Sequence, residues 1–305
     1  MAALPFAQGM GESRRPTGIV LGTLVVVAIT ACLFPAGALW RHLLPAPFFE
    51  AAGVAAVTPV FLIAWLLLWL WLRGKEQRPF ASLGFRQPSL AAPRIARGAA
   101  IALAQLGVYL AIGVATGNLV FATAPTGGLV HWSAWGLAAI ALVAFAAQSG
   151  AEEILARGYL VQVWYPRTGV IGAVVVSAAY FTLAHTPADS FTVLPMIDMT
   201  LYSVLAVLWV LGERGLWGII GYHAMWNWAQ NSLFGIAVSG EPAPSSLFVV
   251  TPTAAADTTV IGADYGAEGS LIDIGMLLVL IAGAVVILLR RRARARRAAE
   301  ERSRA

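Results

Sequence analysis

Residues Val60-Phe61-Leu62-Ile63-Ala64-Trp65-Leu66-Leu67-Leu68-Trp69-Leu70-Trp71-Leu72 run without one charge and without alternation of polar and apolar side chains. A membrane-spanning strand needs short segments that alternate between lipid and lumen, so this stretch excludes a transmembrane β-barrel. In lipid, every backbone N–H and C=O must find a partner within its own segment, which leaves a helix. A hydrocarbon core of about 30 Å takes roughly 20 such residues. Runs of this kind recur at 17–37, 51–72, 98–117, 132–151, 169–186, 192–211, 215–236 and 271–289. The expected fold is an all-α, polytopic transmembrane bundle of about eight spanning helices.

The composition agrees. Of 305 residues, 59% are hydrophobic and only 11% charged, and the mean hydropathy is +0.77. Soluble domains carry about 25% charged residues, and disordered chains combine high charge with low hydrophobicity; both classes are excluded. The net charge of +5 is local. From Arg290 onward there are eight Arg and two Glu, and the remainder holds 12 basic and 13 acidic residues. The basic tail comes with no aromatic or folded module, so nucleic acid is not an expected partner. It reads as an extension of the last helix near anionic lipid. The single cysteine, Cys32, rules out an intrachain disulfide.

Lys and Arg collect on the cytoplasmic side of a membrane protein. Arg14 and Arg15 precede the first run, and Arg73, Lys75, Arg78, Arg86, Arg94 and Arg97 fill the second connection. Arg167, Arg214 and the tail follow in register, whereas the opposite loops hold Arg41 alone. Both termini are therefore expected in the cytoplasm, consistent with an even number of spans. Arg14-Arg15 is read as a positive flank that retains the first span, not as a cleaved signal. The Pro/Ala/Ser-rich Gly240–Ala256 is expected to be an irregular external loop. Three regions are expected: N-terminal helices with a basic loop (1–130), a core that carries the chemistry (131–289), and the tail (290–305).

Ionisable groups inside a membrane are costly and point to function. Glu152 and Glu153 follow the fourth run in Gln148-Ser149-Gly150-Ala151-Glu152-Glu153-Ile154-Leu155-Ala156-Arg157, and the apolar residues beyond them predict that the helix continues. Glu153 and Arg157 stand i,i+4 with the acid first, the favourable ion-pair order. Glu152 lies about 100° around the helix, so it is left to face a cavity. His185 ends the fifth run. His223 and Asn227 lie i,i+4 on the seventh, among Trp217, Trp226 and Trp228. Each piece alone has a plain reading: a solvated helix end, an interfacial histidine, or a polar pair gluing helices. Together, on three helices, they supply a base, a polarising group and neutral donors. That set suffices to hydrolyse an amide through water activated by Glu152, with His185 orienting the water and His223 and Asn227 holding the oxyanion.

Other chemistries remain open at this stage. No serine in the spans has a nucleophile-elbow context, which favours activated water over a covalent route. Zinc, held by Glu152, His185 and His223, is possible, although no His-Glu-x-x-His is present and the favoured reading needs no cofactor. A non-enzymatic protein is the competing class: a proton-coupled transporter that uses Glu152, His185 and Asp198 as a relay, or a scaffold or immunity protein. The two-fold repeat of many transporters is not seen. Asp198, in the sixth run, has no assigned partner; it is expected to hydrogen-bond within the bundle or to line the same cavity. Helical rise counted from the cytoplasmic ends puts His223 shallow and His185 deep, so tilt or a displaced helix must bring them level.

The three pieces Glu152-Glu153-x-x-x-Arg157, Phe181-x-x-x-His185 and His223-x-x-x-Asn227 resemble, in order and spacing, the motifs of the CPBP family (CAAX proteases and bacteriocin-processing enzymes, also called Abi). The resemblance covers roughly residues 130–240. It implies an intramembrane endopeptidase acting on a protein or peptide substrate, with Glu152 activating water, His185 assisting, and His223 and Asn227 stabilising the oxyanion. Glu153, Arg157 and Phe181 would be supporting residues. Ala156 departs from the bulkier apolar residue often found before the Arg. The loop composition reads as bacterial, so an inner or plasma membrane is expected, where a prenylated substrate is not; the oligomeric state is left open.

Overall fold

The computed structural model describes residues 6–46, 52–122, 132–186 and 188–304. Among the described residues, nine α-helices dominate. In chain order they are α1 (Ile19–Leu43), α2 (Val54–Trp71), α3 (Ala91–Ala115), α4 (Trp132–Glu153), α5 (Leu160–His185), α6 (Val193–Glu213), α7 (Trp217–Trp228), α8 (Thr258–Ile261) and α9 (Leu271–Arg304). A π-helical turn, Ile154–Tyr159, joins α4 to α5, so the helix continues past Glu153. The expected boundary at 130/131 and the start of the second run at 51 lie outside the described residues.

Among the described residues, six stretches are long and apolar enough to cross a membrane. Two features separate that number from the eight runs. Trp132–His185 counts as one stretch of 54 residues, although Gly169, at φ 66° and ψ −160°, breaks it where the fourth and fifth runs part. The seventh run becomes the 12-residue α7, followed by a π-helical turn at Ala229–Leu233. At 1.5 Å per residue, α7 is too short to span alone. Its residues are nonetheless apolar because protein surrounds them. Val143, Ile171 and Val279, by contrast, expose 69%, 80% and 72% of their surface. An apolar exterior of this extent is what lipid-facing helices present.

The segments assigned to one side by the positive-inside reading do gather at one end of the bundle. Backbone amides of Arg14 and Arg15 donate to the Glu76 carbonyl, and Arg86 pairs with Glu12. Arg94 and Arg97 meet Glu213, and Arg291 reaches the Gly212 carbonyl. The opposite end corrects one expectation. Instead of an irregular loop, part of Gly240–Ala256 forms strand β2 (Val249–Pro252), antiparallel to β1 (Leu119–Ala122) with Leu119 opposite Pro252. Two short strands this far apart in sequence leave no local periodicity by which to find their pairing.

Close backbone packing sets α7 in place. A Cβ on Gly98 of α3 would lie 2.0 Å from the Gly218 carbonyl oxygen, and one on Gly221 would lie 2.5 Å from that of Ile95. Small residues let membrane helices approach this closely. Glu213 then accepts from the Gly218 amide at 2.9 Å, placing a carboxylate at the positive end of α7. The entry to α7 is buried, with Leu216 fully covered, so the helix starts inside the protein. His223 and His185 line one cavity, so the packing of the helices brings the two histidines level.

Candidate active site

Glu153 is the hub of the site. Its side chain is wholly buried, and its Oε1 accepts from Arg157 Nη1 at 2.9 Å, Tyr202 OH at 2.8 Å and His223 Nδ1 at 3.0 Å. The Glu153–Arg157 pair is the one that the i,i+4 spacing requires. Arg157 is equally buried: it lies over the Phe181 ring at 4.2 Å and the Tyr202 ring at 4.9 Å, and its Nη2 donates to Ser203 Oγ at 2.9 Å. Two aromatic faces and a carboxylate compensate the guanidinium for lost water. Phe181 also packs its ring 4.5 Å from that of His185, so one aromatic side chain ties the Arg to the second histidine.

His223 connects the two glutamates. Since Glu153 is an acceptor, His223 Nδ1 carries a proton, and Nε2 faces Glu152 Oε2 at 3.7 Å. That separation is too long for a direct hydrogen bond and is the kind of gap in which a bridging water is considered. A carboxylate on Nδ1 fixes the tautomer and orientation of the ring. Sequence spacing had given Glu153 only to Arg157; that it also orients His223 is decided by the approach of α7 to α4. Glu152 itself is 20% exposed at the side chain and accepts from Gln148 Nε2 at 3.3 Å. His185 Nδ1 donates to the Phe181 carbonyl at 2.7 Å, which leaves Nε2 for the chemistry.

Glu152, His185, His223 and Asn227 line one cavity, together with Gln148, Phe181 and Tyr202. Its volume is about 20 Å³, enough for a water molecule. Asn227 Oδ1 and Glu152 Oε2 are buried there without a donor among the described residues. Unanswered polar atoms in a cavity mark a place where a water or ligand group belongs.

Three further acids line the same cavity. Asp198 lines it, as one of the two expectations for this residue had it. Asp273, in the first turn of α9, and Glu268, just before that helix, complete the wall. Glu268 comes from the segment expected to lie outside. It accepts from Trp226 Nε1 at 3.2 Å, Gln230 Nε2 at 3.3 Å, and the Ser239 amide and hydroxyl at 2.9 and 2.7 Å. The one local signal was Ser270-x-x-Asp273, a helix-start pattern in which Ser270 Oγ accepts from the Asp273 amide; nothing in it points to a cavity. As for zinc, no three His, Cys, Asp or Glu among the described residues converge closely enough to hold a metal ion. The set of Glu152, His185 and His223 does not fit a metal ion as arranged.

Residues 132–229 match the family model described as type II CAAX prenyl endopeptidase, Rce1-like. The resemblance to the CPBP endopeptidases is thereby shown. Every residue of the three motifs falls inside the match, from Glu152 to Asn227. Glu268 and Asp273 fall outside it. The match supports CAAX-type intramembrane endopeptidase activity in general, and so a peptide hydrolase. With the six apolar stretches, it indicates an integral multi-pass membrane protein. No curated protein and no solved structure matches the chain.

Proposed function

We propose that the protein is an intramembrane endopeptidase that hydrolyses a peptide bond with water activated by Glu152. The observation that carries this reading is His223 held between Glu153 and Glu152 at the edge of a cavity. Water placed against Glu152 gives up a proton to the carboxylate and attacks the carbonyl carbon. Glu152 then returns that proton to the departing amine. The negative charge that develops on the carbonyl oxygen falls to His223 Nε2–H and Asn227 Nδ2–H. Because Nδ1 already donates to Glu153, donation from Nε2 needs the doubly protonated ring, and carboxylates on both sides supply the compensating charge. His185 Nε2 orients the water. Glu153, Arg157, Tyr202 and Phe181 hold the ring and the helix turn without touching the substrate.

Both termini face the cytoplasm of a bacterial cell in this reading, which rests on the loop charges and on their gathering at one end of the bundle. The substrate is a protein or peptide segment, and prenylation is not required of it. The decisive experiment measures cleavage of an internally quenched peptide library by the protein in proteoliposomes. Glu152→Gln is expected to abolish cleavage while insertion and thermal inactivation stay unchanged; full activity in that variant refutes the assignment. Chelator treatment should leave turnover intact, and loss of turnover restored by zinc would overturn the metal-free route.

A further inference from the structure

The cavity around Glu152 and His223 holds about 20 Å³, room for a water but not for a peptide. A peptide bond reaches Glu152 only if part of the wall gives way, and the two ends of the bundle differ in what they offer. Towards the basic end, the chain from Glu153 to Val163 is buried at every residue. The N-terminal segment Phe6–Glu12 lies against it. Phe6, Ala7 and Met10 are buried, and a Cβ on Gly9 would lie 2.6 Å from Gln162 Oε1. Gln162 is held in turn, accepting from Arg78 Nη1 at 2.6 Å and donating to the Ser82 carbonyl at 2.7 Å. This end is closed over the site.

The other end is open. A recess of about 480 Å³, within the size range of ligand clefts, is walled by Ala188, Ser190, Gly240 and Glu241 among others. Ser239 belongs both to its wall and to that of the catalytic cavity. The position of the recess across the membrane follows from α6 and α9. The 21-residue α6 starts three residues after Ser190 and ends at Glu213, which pairs with Arg94 and Arg97. At 1.5 Å per residue it is about 30 Å long, the thickness of a hydrocarbon core. The Gly240 amide donates to the Tyr265 carbonyl at 3.2 Å, just before α9 begins, and Arg291 of that helix reaches the Gly212 carbonyl. Recess and basic segments therefore lie at opposite faces of the membrane.

We propose that the peptide substrate enters through this recess, from the face opposite the basic segments, and that the turn Val238–Glu241 is the gate it displaces. That the entering molecule is a peptide rests on the function proposed above. In the orientation given there, the recess opens at the outer face, so the substrate is an extracytoplasmic segment of an exported or membrane-anchored protein. The turn is the part of the wall that moves with least disruption. Apart from Ser239 and Glu268, every residue lining the catalytic cavity stands on α4, α5, α6, α7 or α9, and a packed helix resists displacement, whereas a turn opens locally. Ser239 holds φ 49°, a left-handed value uncommon for a residue with a Cβ. It is kept there by Glu268 Oε2, which accepts from its amide at 2.9 Å and its hydroxyl at 2.7 Å. Breaking those two bonds lets the turn swing and joins the recess to the water site.

The test uses the full-length protein with Cys32 replaced by Ser. A Cβ on Gly240 would lie 3.8 Å from that of Ser190, a usual separation for a disulfide, so Ser190→Cys with Gly240→Cys locks the turn when oxidised. In proteoliposomes, oxidation should slow cleavage of an internally quenched peptide by about tenfold or more, because a lid that cannot open bars the substrate, and reductant should restore it. If the double variant does not fold, Ser190→Cys alone carries the test. A bulky maleimide there should block cleavage, whereas the same group on Ser89→Cys, among the basic segments, should not. Unchanged turnover in the locked or capped protein means that the peptide enters elsewhere, and overturns the proposal while the peptidase reading stands. Labelling follows the route without turnover. In sealed membrane vesicles, a charged methanethiosulfonate that does not cross the bilayer should modify Glu152→Cys only from the face opposite that from which it modifies Ser89→Cys. If the unaltered protein cleaves nothing but this pattern holds, the route stands and the peptidase reading fails. Modification from the Ser89 face, or from neither, refutes the proposal.

Discussion

Two ion pairs are wholly buried among the described residues, and they do different work. Around Glu76, the carboxylate accepts from Thr17 Oγ1 at 2.5 Å, Tyr159 OH at 2.8 Å and Arg78 Nε at 2.6 Å. Arg78 goes on to Gln162 Oε1 at 2.6 Å and Ser82 Oγ at 3.1 Å. These contacts knit the N-terminal segment, the second connection and the π-helical turn into one end of the bundle, and neither residue lines the cavity that holds Glu152 and His223. Around Glu153, the pair is just as buried, yet its neighbours Glu152 Oε2 and Asn227 Oδ1 lack donors and border open space. Burial of charge therefore does not by itself mark a site. A network whose acceptors are answered, as those of Glu76 are, works as a staple; one that leaves polar atoms facing a cavity is prepared to receive something.

The contrast can be broken most forcefully at Glu152. Replacing it with Gln should cut kcat by about 10²- to 10⁴-fold, the usual worth of a positioned acid–base group, with no change in thermal inactivation. A variant that loses stability as well would place Glu152 among the staples. Next in size is Glu76→Ala, which strands the buried Arg78. The expected cost is about 3–5 kcal/mol of stability, seen as a lowered inactivation temperature in detergent. Turnover per folded molecule should be retained, and a selective loss of turnover would show that the two networks are coupled. Tyr202→Phe removes one of three donors to Glu153 Oε1. It is expected to slow turnover by about ten- to a hundredfold, as for a hydrogen bond to a charge, while the protein inserts normally. The smallest effect belongs to the tail. Truncation after Arg294 should leave turnover on a short peptide unchanged, because no tail residue lines the cavity.

Some of this could be read from the residues directly. The ion pair at Glu153 and Arg157 is local, four residues on one helix, and needs no tertiary information. The end-to-end sorting of the basic segments was equally legible, since Arg94, Arg97 and Arg291 converge where their loops were expected to meet. The length of α7 was not. Its run of apolar residues looks the same whether lipid or protein surrounds it, and only packing through Gly98, Gly218 and Gly221 shows which. Glu268 and Asp273 were missed for a related reason. They sit in or beside a polar connection whose composition suits solvent, and their side-chain contacts lie 29 to 168 residues away in sequence.

The sequence by itself determined that the chain is helical and built for a membrane, because the hydrophobic period and the scarcity of charge are local properties that lipid enforces on every backbone group. It also determined which few ionisable residues stand where water is scarce. What only the tertiary structure decided is which of them come together: His223 between two glutamates, and Asp198, Glu268 and Asp273 around the same cavity. Those meetings depend on the rotation and depth of helices that pack through small residues, and hydropathy carries no record of either.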